Sequence, residues 1–278
     1  MKRVLSIQDI SCLGKCSTTI ALPIISAMGV ETTILPTALL STHTMFEGFT
    51  CKDLTDQLMP ICAHWQSQGI HFDAIYTGYL GSEKEIELAK KIFKMFQSED
   101  TMIFIDPVMA DHGKLYPAFD YSYIEQNTSL SKYADILVPN ITEAALMTNS
   151  EYKEEYDELY IQDLIKKLIQ QGAKVVVITG VSLQEGKTGF YGYDSKQGTF
   201  FNYQNKKIGA SYHGTGDIFS SVCVGALTRG IPMSKAFQLA ADYTAKTIEK
   251  TLLDPKKTWY GVNFESTIPD LIKMLEAL

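Results

Sequence analysis

The 278 residues carry 25 Lys and Arg against 32 Asp and Glu, a net charge of −7, with 45% hydrophobic and 21% charged residues. Such a chain can bury a substantial core, as one large α/β domain or two small ones. Its negative charge argues against a nucleic-acid or anionic-membrane surface, so a phosphate ligand would be held by local N–H groups, a metal ion or a few lysines.

Met1-Lys2-Arg3 runs straight into a strand-like segment, without the features of a signal peptide. Apolar runs fall far short of a membrane span, and a cytoplasmic location is expected. The five cysteines, Cys12, Cys16, Cys51, Cys62 and Cys223, are odd in number and contain no C-x-x-C pair. That is the pattern of reduced thiols. Cys12 and Cys16 have a spacing that could serve a metal, but no second pair of ligands follows.

Short β-branched runs predict strands over residues 4–7, 32–35, 74–76, 102–105, 136–138 and 175–178. Between them, Ile86, Ala89, Phe93 and Phe96 mark one helical stripe, and Ile161, Leu164, Ile165, Leu168 and Ile169 another. Repeated βα units imply a mostly parallel sheet with helices on both faces. After Thr179, residues 189–193 and 199–203 alternate as a hairpin. Helix resumes from Asp217 and again from Ser234 to about Thr251. With no linker, low-complexity stretch or repeat, residues 1–278 read as one domain.

Ligands of open parallel sheets bind beyond the carboxyl ends of the strands. That rule draws notice to Gln8-Asp9, Thr77-Gly78-Tyr79, Asp106-Pro107, Pro139-Asn140 and Thr179-Gly180. Gly186-Lys187-Thr188 mimics the end of a P-loop, but five residues separate Gly180 from Gly186 where four are needed, and a β-like run follows. No G-x-G-x-x-G follows the first strand, which disfavours a nicotinamide-dependent enzyme.

Gly214-Thr215-Gly216-Asp217 is the most informative segment. Glycines two apart expose backbone N–H groups, and Ile218, Phe219, Val222, Cys223, Ala226 and Leu227 follow at helical spacing. A helix N-terminus attracts an anion, and a carboxylate there makes sense as the proton acceptor for a hydroxyl attacking a bound phosphoryl group. A tight turn with an acidic first helical turn is the competing interpretation.

Taken together, Gly214–Asp217, Asp106-Pro107-Val108 and Pro139-Asn140-x-x-Glu143 resemble the signature of the ribokinase-like superfamily. Residues 3–8, Ser41-Thr42-His43-Thr44 and Thr77-Gly78-Tyr79 are similar to the pyridoxal (vitamin B6) kinases. The resemblance spans essentially the whole chain. It implies a ribokinase-like fold and ATP-dependent phosphorylation of the 5′-hydroxymethyl group of pyridoxal, pyridoxamine or pyridoxine.

The resemblance also implies the site. Asp217 would be the base, with the N–H groups of Gly214, Thr215 and Gly216 as anion hole. Asn140 and Glu143 would position Mg²⁺ and ATP phosphates through water, with Asp106 nearby. Thr179 would lie on the nucleotide and monovalent-cation (K⁺) side, and Thr44 and Tyr79 would line the vitamer pocket. Asp111, Lys114 and Tyr116 would fall on a covering lid with Gly113 as hinge. A homodimer is expected by the same likeness. Asp9 departs from the family's usual Ser: it either caps a turn or presents a carboxylate to a cationic ring nitrogen or amine. His43 and His213 flank key motifs without the partners of catalytic histidines and are expected as pocket wall. Competing functions are a hydroxymethylpyrimidine kinase of thiamine synthesis, a sugar kinase, and a non-catalytic vitamer-binding protein on the same fold.

Overall fold

The computed structural model describes residues 1–209 and 212–278. In chain order the elements are β1 (Arg3–Leu13), α1 (Thr18–Ala27), β2 (Glu31–Thr42), β3 (Cys51–Asp53), α2 (Thr55–Ser67), β4 (Ala74–Thr77), α3 (Glu83–Phe96), β5 (Met102–Ile105), β6 (Ala110–Asp111) and β7 (Lys114–Leu115). There follow α4 (Tyr121–Thr128), β8 (Ile136–Leu137), α5 (Ile141–Met147), α6 (Glu158–Gln170), β9 (Val175–Val181), β10 (Lys187–Asp194), β11 (Thr199–Lys206), α7 (Thr215–Thr228), α8 (Met233–Leu253) and α9 (Ile268–Glu276). The main sheet has the order β11-β10-β9-β8-β5-β4-β1-β2-β3. It is parallel from β2 to β9, with β3 and the β10–β11 hairpin antiparallel at its edges.

Alternation along the strands divides the core in two. Leu5, Ile7, Ile75, Ile103 and Ile105 face the layer of α2 to α6. Val4, Ala74, Tyr76, Phe104 and Val177 face α1, α7, α8 and α9. The predicted stripe of α3 is buried, and Ser82 caps it by accepting the Glu85 N–H at 3.3 Å. Helix α7 is apolar nearly all round because it lies between the sheet and two other helices.

Three expectations need correction. Gln8-Asp9 lies inside a strand, not after one: β1 continues to Leu13 because β2 pairs with it as far as Thr42. The register shifts between Gln8 and Ile10, so Asp9 occupies a bulge, a feature that re-aims a side chain beside an active site. Thr179-Gly180 likewise lies within β9, which the antiparallel β10 prolongs; Gly180, at φ 73°, takes the irregularity between Thr179 and Val181. The expected lid loop is a small hairpin, β6–β7, pairing Asp111 with Lys114. Gly113 has φ 73°, its N–H donates to Thr142 Oγ1 at 2.9 Å, and a Cβ there would lie 2.7 Å from the Tyr152 ring. The supposed hinge is packed against α5. Lys187-Thr188 opens β10, as expected for a decoy P-loop.

Candidate active site

The strand order supplies the first wall. From β1 the chain goes to β2 on one side, then crosses to β4 on the other. Such a reversal opens a crevice at the carboxyl ends of the strands. Asp9, 5% exposed, lines it. Its Oδ2 accepts from Ser11 Oγ at 3.1 Å, and Ser17 supplies a second hydroxyl. Burial pushes the Asp9 carboxyl above its ordinary range while both serines oppose the shift.

Across the crevice, Gly78 packs so tightly that a Cβ would lie 2.7 Å from Gln8 Oε1. Tyr79 is half-buried with its ring 5.5 Å from Phe119. Burial, and then the charges of Asp9 and Glu85, push its phenol up to about 12. Thr44 is exposed on the turn after β2. Beside it, buried His43 accepts the Met45 N–H on Nδ1 at 3.2 Å, which leaves its proton on Nε2, 3.0 Å from the Tyr260 carbonyl. The His213 ring lies 4.7 Å away, and burial lowers its imidazole to about 4. Both histidines pack in the wall.

The N-terminus of α7 forms the second wall. Gly214 caps it at φ 86°, and a Cβ there would sit 2.0 Å from the Lys15 carbonyl oxygen. Thr215 Oγ1 donates to the Tyr212 carbonyl at 3.2 Å. Nothing lies within 4 Å of a Cβ built on Gly216, so there is room for an anion before the first helical turn. Asp217, the third residue of the helix, is half-buried. Burial, followed by the negative Asp106, raises its carboxyl to about 8, against a hydrogen bond from the Ser17 N–H.

Ser17 carried no signal in the sequence. It holds φ 48°, a conformation costing a non-glycine residue about 1–3 kcal/mol. From there it lies between the two carboxylates: its hydroxyl opposes the rise of the Asp9 carboxyl and its N–H that of Asp217.

The third wall lies beyond β5 and β8. Asp106, 7% exposed, accepts from Ser220 Oγ at 2.7 Å. Asn140 and Glu143 form a capping box at the start of α5. Asn140 Oδ1 accepts the Glu143 N–H at 2.9 Å, and its amide donates to the Ala110 carbonyl at 2.8 Å. Glu143 Oε1 accepts from the Met109 and Ala110 N–H groups at 2.9 and 3.5 Å, and Oε2 from the Asn140 N–H at 2.8 Å. The pair therefore holds the backbone leading into β6, a structural job the motif alone did not reveal. Burial, then the negative Glu143, pushes Asp106 up; burial also pushes Glu143 up, against its three N–H donors. Thr179 donates its N–H to the Pro139 carbonyl at 2.9 Å, joining β9 to this corner. Of the hairpin residues, Asp111 and Lys114 are exposed and Tyr116 is half-buried, its N–H bonded to the Met109 carbonyl at 2.9 Å.

Two buried carboxylates, with the charge of Glu143 raising the proton affinity of Asp106 and that of Asp111 raising the proton affinity of Glu143, suit a cation. Among the described residues no three His, Cys, Asp or Glu side chains converge into a cage. That donor set fits Mg²⁺, which keeps several waters, better than a fully protein-ligated metal.

A mostly parallel sheet, a glycine-flanked carboxylate on a late helix and a second acidic corner define a phosphotransferase of the ribokinase-like fold. A family model described as phosphomethylpyrimidine kinase matches residues 22–261. The chain belongs to that family. It is 30% identical over 190 residues to the pyridoxine kinase of Bacillus subtilis, covering 66% of this chain and 67% of the relative. The pyridoxal kinase of Dictyostelium discoideum is 27% identical over 237 residues, 80% of this chain and 77% of that one. Among solved structures, a Bacteroides thetaiotaomicron protein named for phosphomethylpyrimidine kinase and crystallised with pyridoxal superposes with a TM-score of 0.92 at 34% identity, over 97% of this chain and 95% of that one. Pyridoxal kinase from Lactobacillus plantarum gives 0.91 at 29% identity, over 100% and 99%.

Proposed function

We propose that this chain is a vitamin B6 kinase that transfers the γ-phosphoryl group of ATP to the 5′-hydroxymethyl group of pyridoxal, pyridoxamine or pyridoxine. The observation that carries it is the position of Asp217 between two polar ends: the N–H cradle of Gly214–Gly216 on its own helix, and the Asp9 crevice reached through Ser17. A vitamer seated against Asp9 and Tyr79 brings its hydroxyl to Asp217, and the phosphoryl group enters the cradle. Asp217 takes the proton; the N–H groups meet the charge that spreads over the transferring oxygens. Mg²⁺, held by Asp106 and Glu143 through water, would neutralise ATP phosphate charge. Thr179 belongs to the nucleotide side, where the resemblance also puts K⁺. Asp111, Lys114 and Tyr116 cover that side from the β6–β7 hairpin.

A coupled ADP-release assay over the three vitamers, hydroxymethylpyrimidine and ribose tests the assignment. Turnover of B6 vitamers above the others supports it. A higher kcat/KM for hydroxymethylpyrimidine would favour the thiamine-pathway reading, which the family description also suggests. Vitamer binding without ADP release would identify a binding protein. No described helix is long and apolar enough to cross a membrane, and we place the enzyme in the cytoplasm as a homodimer. A solution mass of twice the 31.0 kDa chain would support the dimer.

A further inference from the structure

Behind the acidic corner lies a set of hydroxyl groups that the phosphoryl-transfer scheme does not use. Tyr76 stands in β4, at the centre of the sheet, and is entirely buried on the face covered by α7. Its ring meets Phe104 edge-on at 5.6 Å. It belongs to the same apolar cluster as Ile218, Val222 and Phe104, where phenylalanine would fill the space without burying a hydroxyl. Helix α7 repeats the anomaly. Between Phe219 and Val222 it carries Ser220 and Ser221, 1% and 0% exposed. A serine in a helix core forgoes apolar burial and so calls for a partner.

Ser220 has one: its Oγ donates to Asp106 Oδ2 at 2.7 Å. A hydroxyl that donates retains acceptor lone pairs. The hydroxyls of Tyr76 and Ser221 are both buried and without a formed hydrogen bond, and Ser220 and Ser221 both oppose the burial-driven rise of the Tyr76 phenol. A hydrogen bond from the Tyr76 hydroxyl to Ser220 Oγ would extend this pair into the sequence Tyr76 Oη–H to Ser220 Oγ–H to Asp106. Each bond in such a chain polarises the next.

We propose that Tyr76 and Ser220 form a buried hydroxyl relay that fixes the Asp106 carboxylate from behind, making both positioning residues for the magnesium–nucleotide complex. Ser220 commits Oδ2, so the cation or its water shell meets Asp106 through its remaining acceptor sites. Ser221 lies beside the relay as an alternative acceptor for the Tyr76 hydroxyl. The inference rests on the kinase reading for the role of Asp106, but not on which alcohol is phosphorylated.

The test compares the wild type, Tyr76→Phe, Ser220→Ala, Ser220→Thr and the Tyr76→Phe/Ser220→Ala pair. Calorimetry measures ADP binding at a series of Mg²⁺ concentrations without any vitamer. The relay predicts that Tyr76→Phe and Ser220→Ala each raise the Mg²⁺ needed for half-maximal ADP affinity several-fold. Ser220→Thr, which keeps the hydroxyl, should restore it, and the double variant should be no worse than Ser220→Ala, because the two residues act in series. In turnover, kcat should fall about tenfold with the KM of the alcohol substrate unchanged. An unaltered Mg²⁺ dependence in both single variants overturns the relay, whatever happens to the melting temperature. If Tyr76→Phe does not fold, the Ser220→Ala and Ser220→Thr pair decides alone. A wild type that binds Mg·ADP but ignores B6 vitamers would refute the substrate assignment and leave this measurement intact.

Discussion

The carbonyl oxygen of Lys15 lies 2.0 Å from the point where a Cβ on Gly214 would be. The loop that ends at Ser17 is thus pressed onto the first residue of the anion cradle, and the two halves of the site share one backbone contact. With φ at 86° as well, Gly214→Ala should cost at least about 3 kcal/mol of stability and abolish turnover. Gly216→Ala meets no neighbour within 4 Å and should leave the melting temperature within a few degrees while reducing kcat. Equal thermal losses in the two variants would contradict the different packing of the glycines.

Asp217→Asn should lower kcat by roughly 10²–10⁴-fold, the range for a positioned proton acceptor. Mg·ADP binding should persist, because the cradle is backbone. Near-full turnover in this variant would make Asp217 a first-turn acidic residue and nothing more. A rise in KM alone would point to a binding role.

The same carboxyl sets a pH dependence. With Asp217 raised to about 8, kcat/KM should climb with pH and level off above that value, since only the ionised form accepts a proton. Stability runs the other way. The folded state holds a proton that the unfolded chain, with its ordinary carboxyl near 3.8, has released, so this group favours folding less and less from about pH 4 to about pH 8. Asp217→Asn should therefore melt higher than the wild type at pH 9, with the gap closing toward pH 4. A gap that widens on acidification would show that Asp217 is stabilised as the anion.

Asp9→Ser tests vitamer preference. The substitution keeps a hydrogen-bonding group and removes the charge. If the buried carboxylate of Asp9 faces an amine or a protonated ring nitrogen, kcat/KM should fall about tenfold further for pyridoxamine than for pyridoxal, equivalent to about 1.4 kcal/mol. Parallel losses for both vitamers would show that Asp9 does not sense substrate charge. A lower melting temperature with unchanged kinetics would assign it to the bulge and its Ser11 and Ser17 bonds.

For the β6–β7 hairpin, amide hydrogen exchange over residues 110–116 should slow when ADP, Mg²⁺ and a vitamer bind together. The N–H groups of His112, Gly113 and Tyr116 already have partners in Asp111 Oδ1, Thr142 Oγ1 and the Met109 carbonyl, so the change should centre on exposed Lys114. Identical exchange with and without ligands would make the hairpin a fixed rim.

Period and punctuation in the sequence determined much of this molecule. Alternating β-branched runs and 3.6-period stripes are local patterns, so the parallel sheet, the stripe of α3 and the β10–β11 hairpin were legible before any contact was known. The glycines around Thr215 announced a helix-end cradle for the same reason: they respond to local backbone geometry. Partners distant along the chain decided the rest. Asp9 lies in a strand because β2 continues to pair beyond Pro36, and Thr179 because β10 folds back on β9. Glu143 and Asn140 looked like ligand residues, yet their side-chain atoms are largely engaged by backbone from residues 109–110 and their own helix. Ser17 gave no sign at all, because its value comes from lying between Asp9 and Asp217, which only the closed fold brings together. Ser220 and Ser221 left a trace, two hydroxyls in an apolar helix, but Asp106, to which Ser220 donates, lies more than a hundred residues away along the chain.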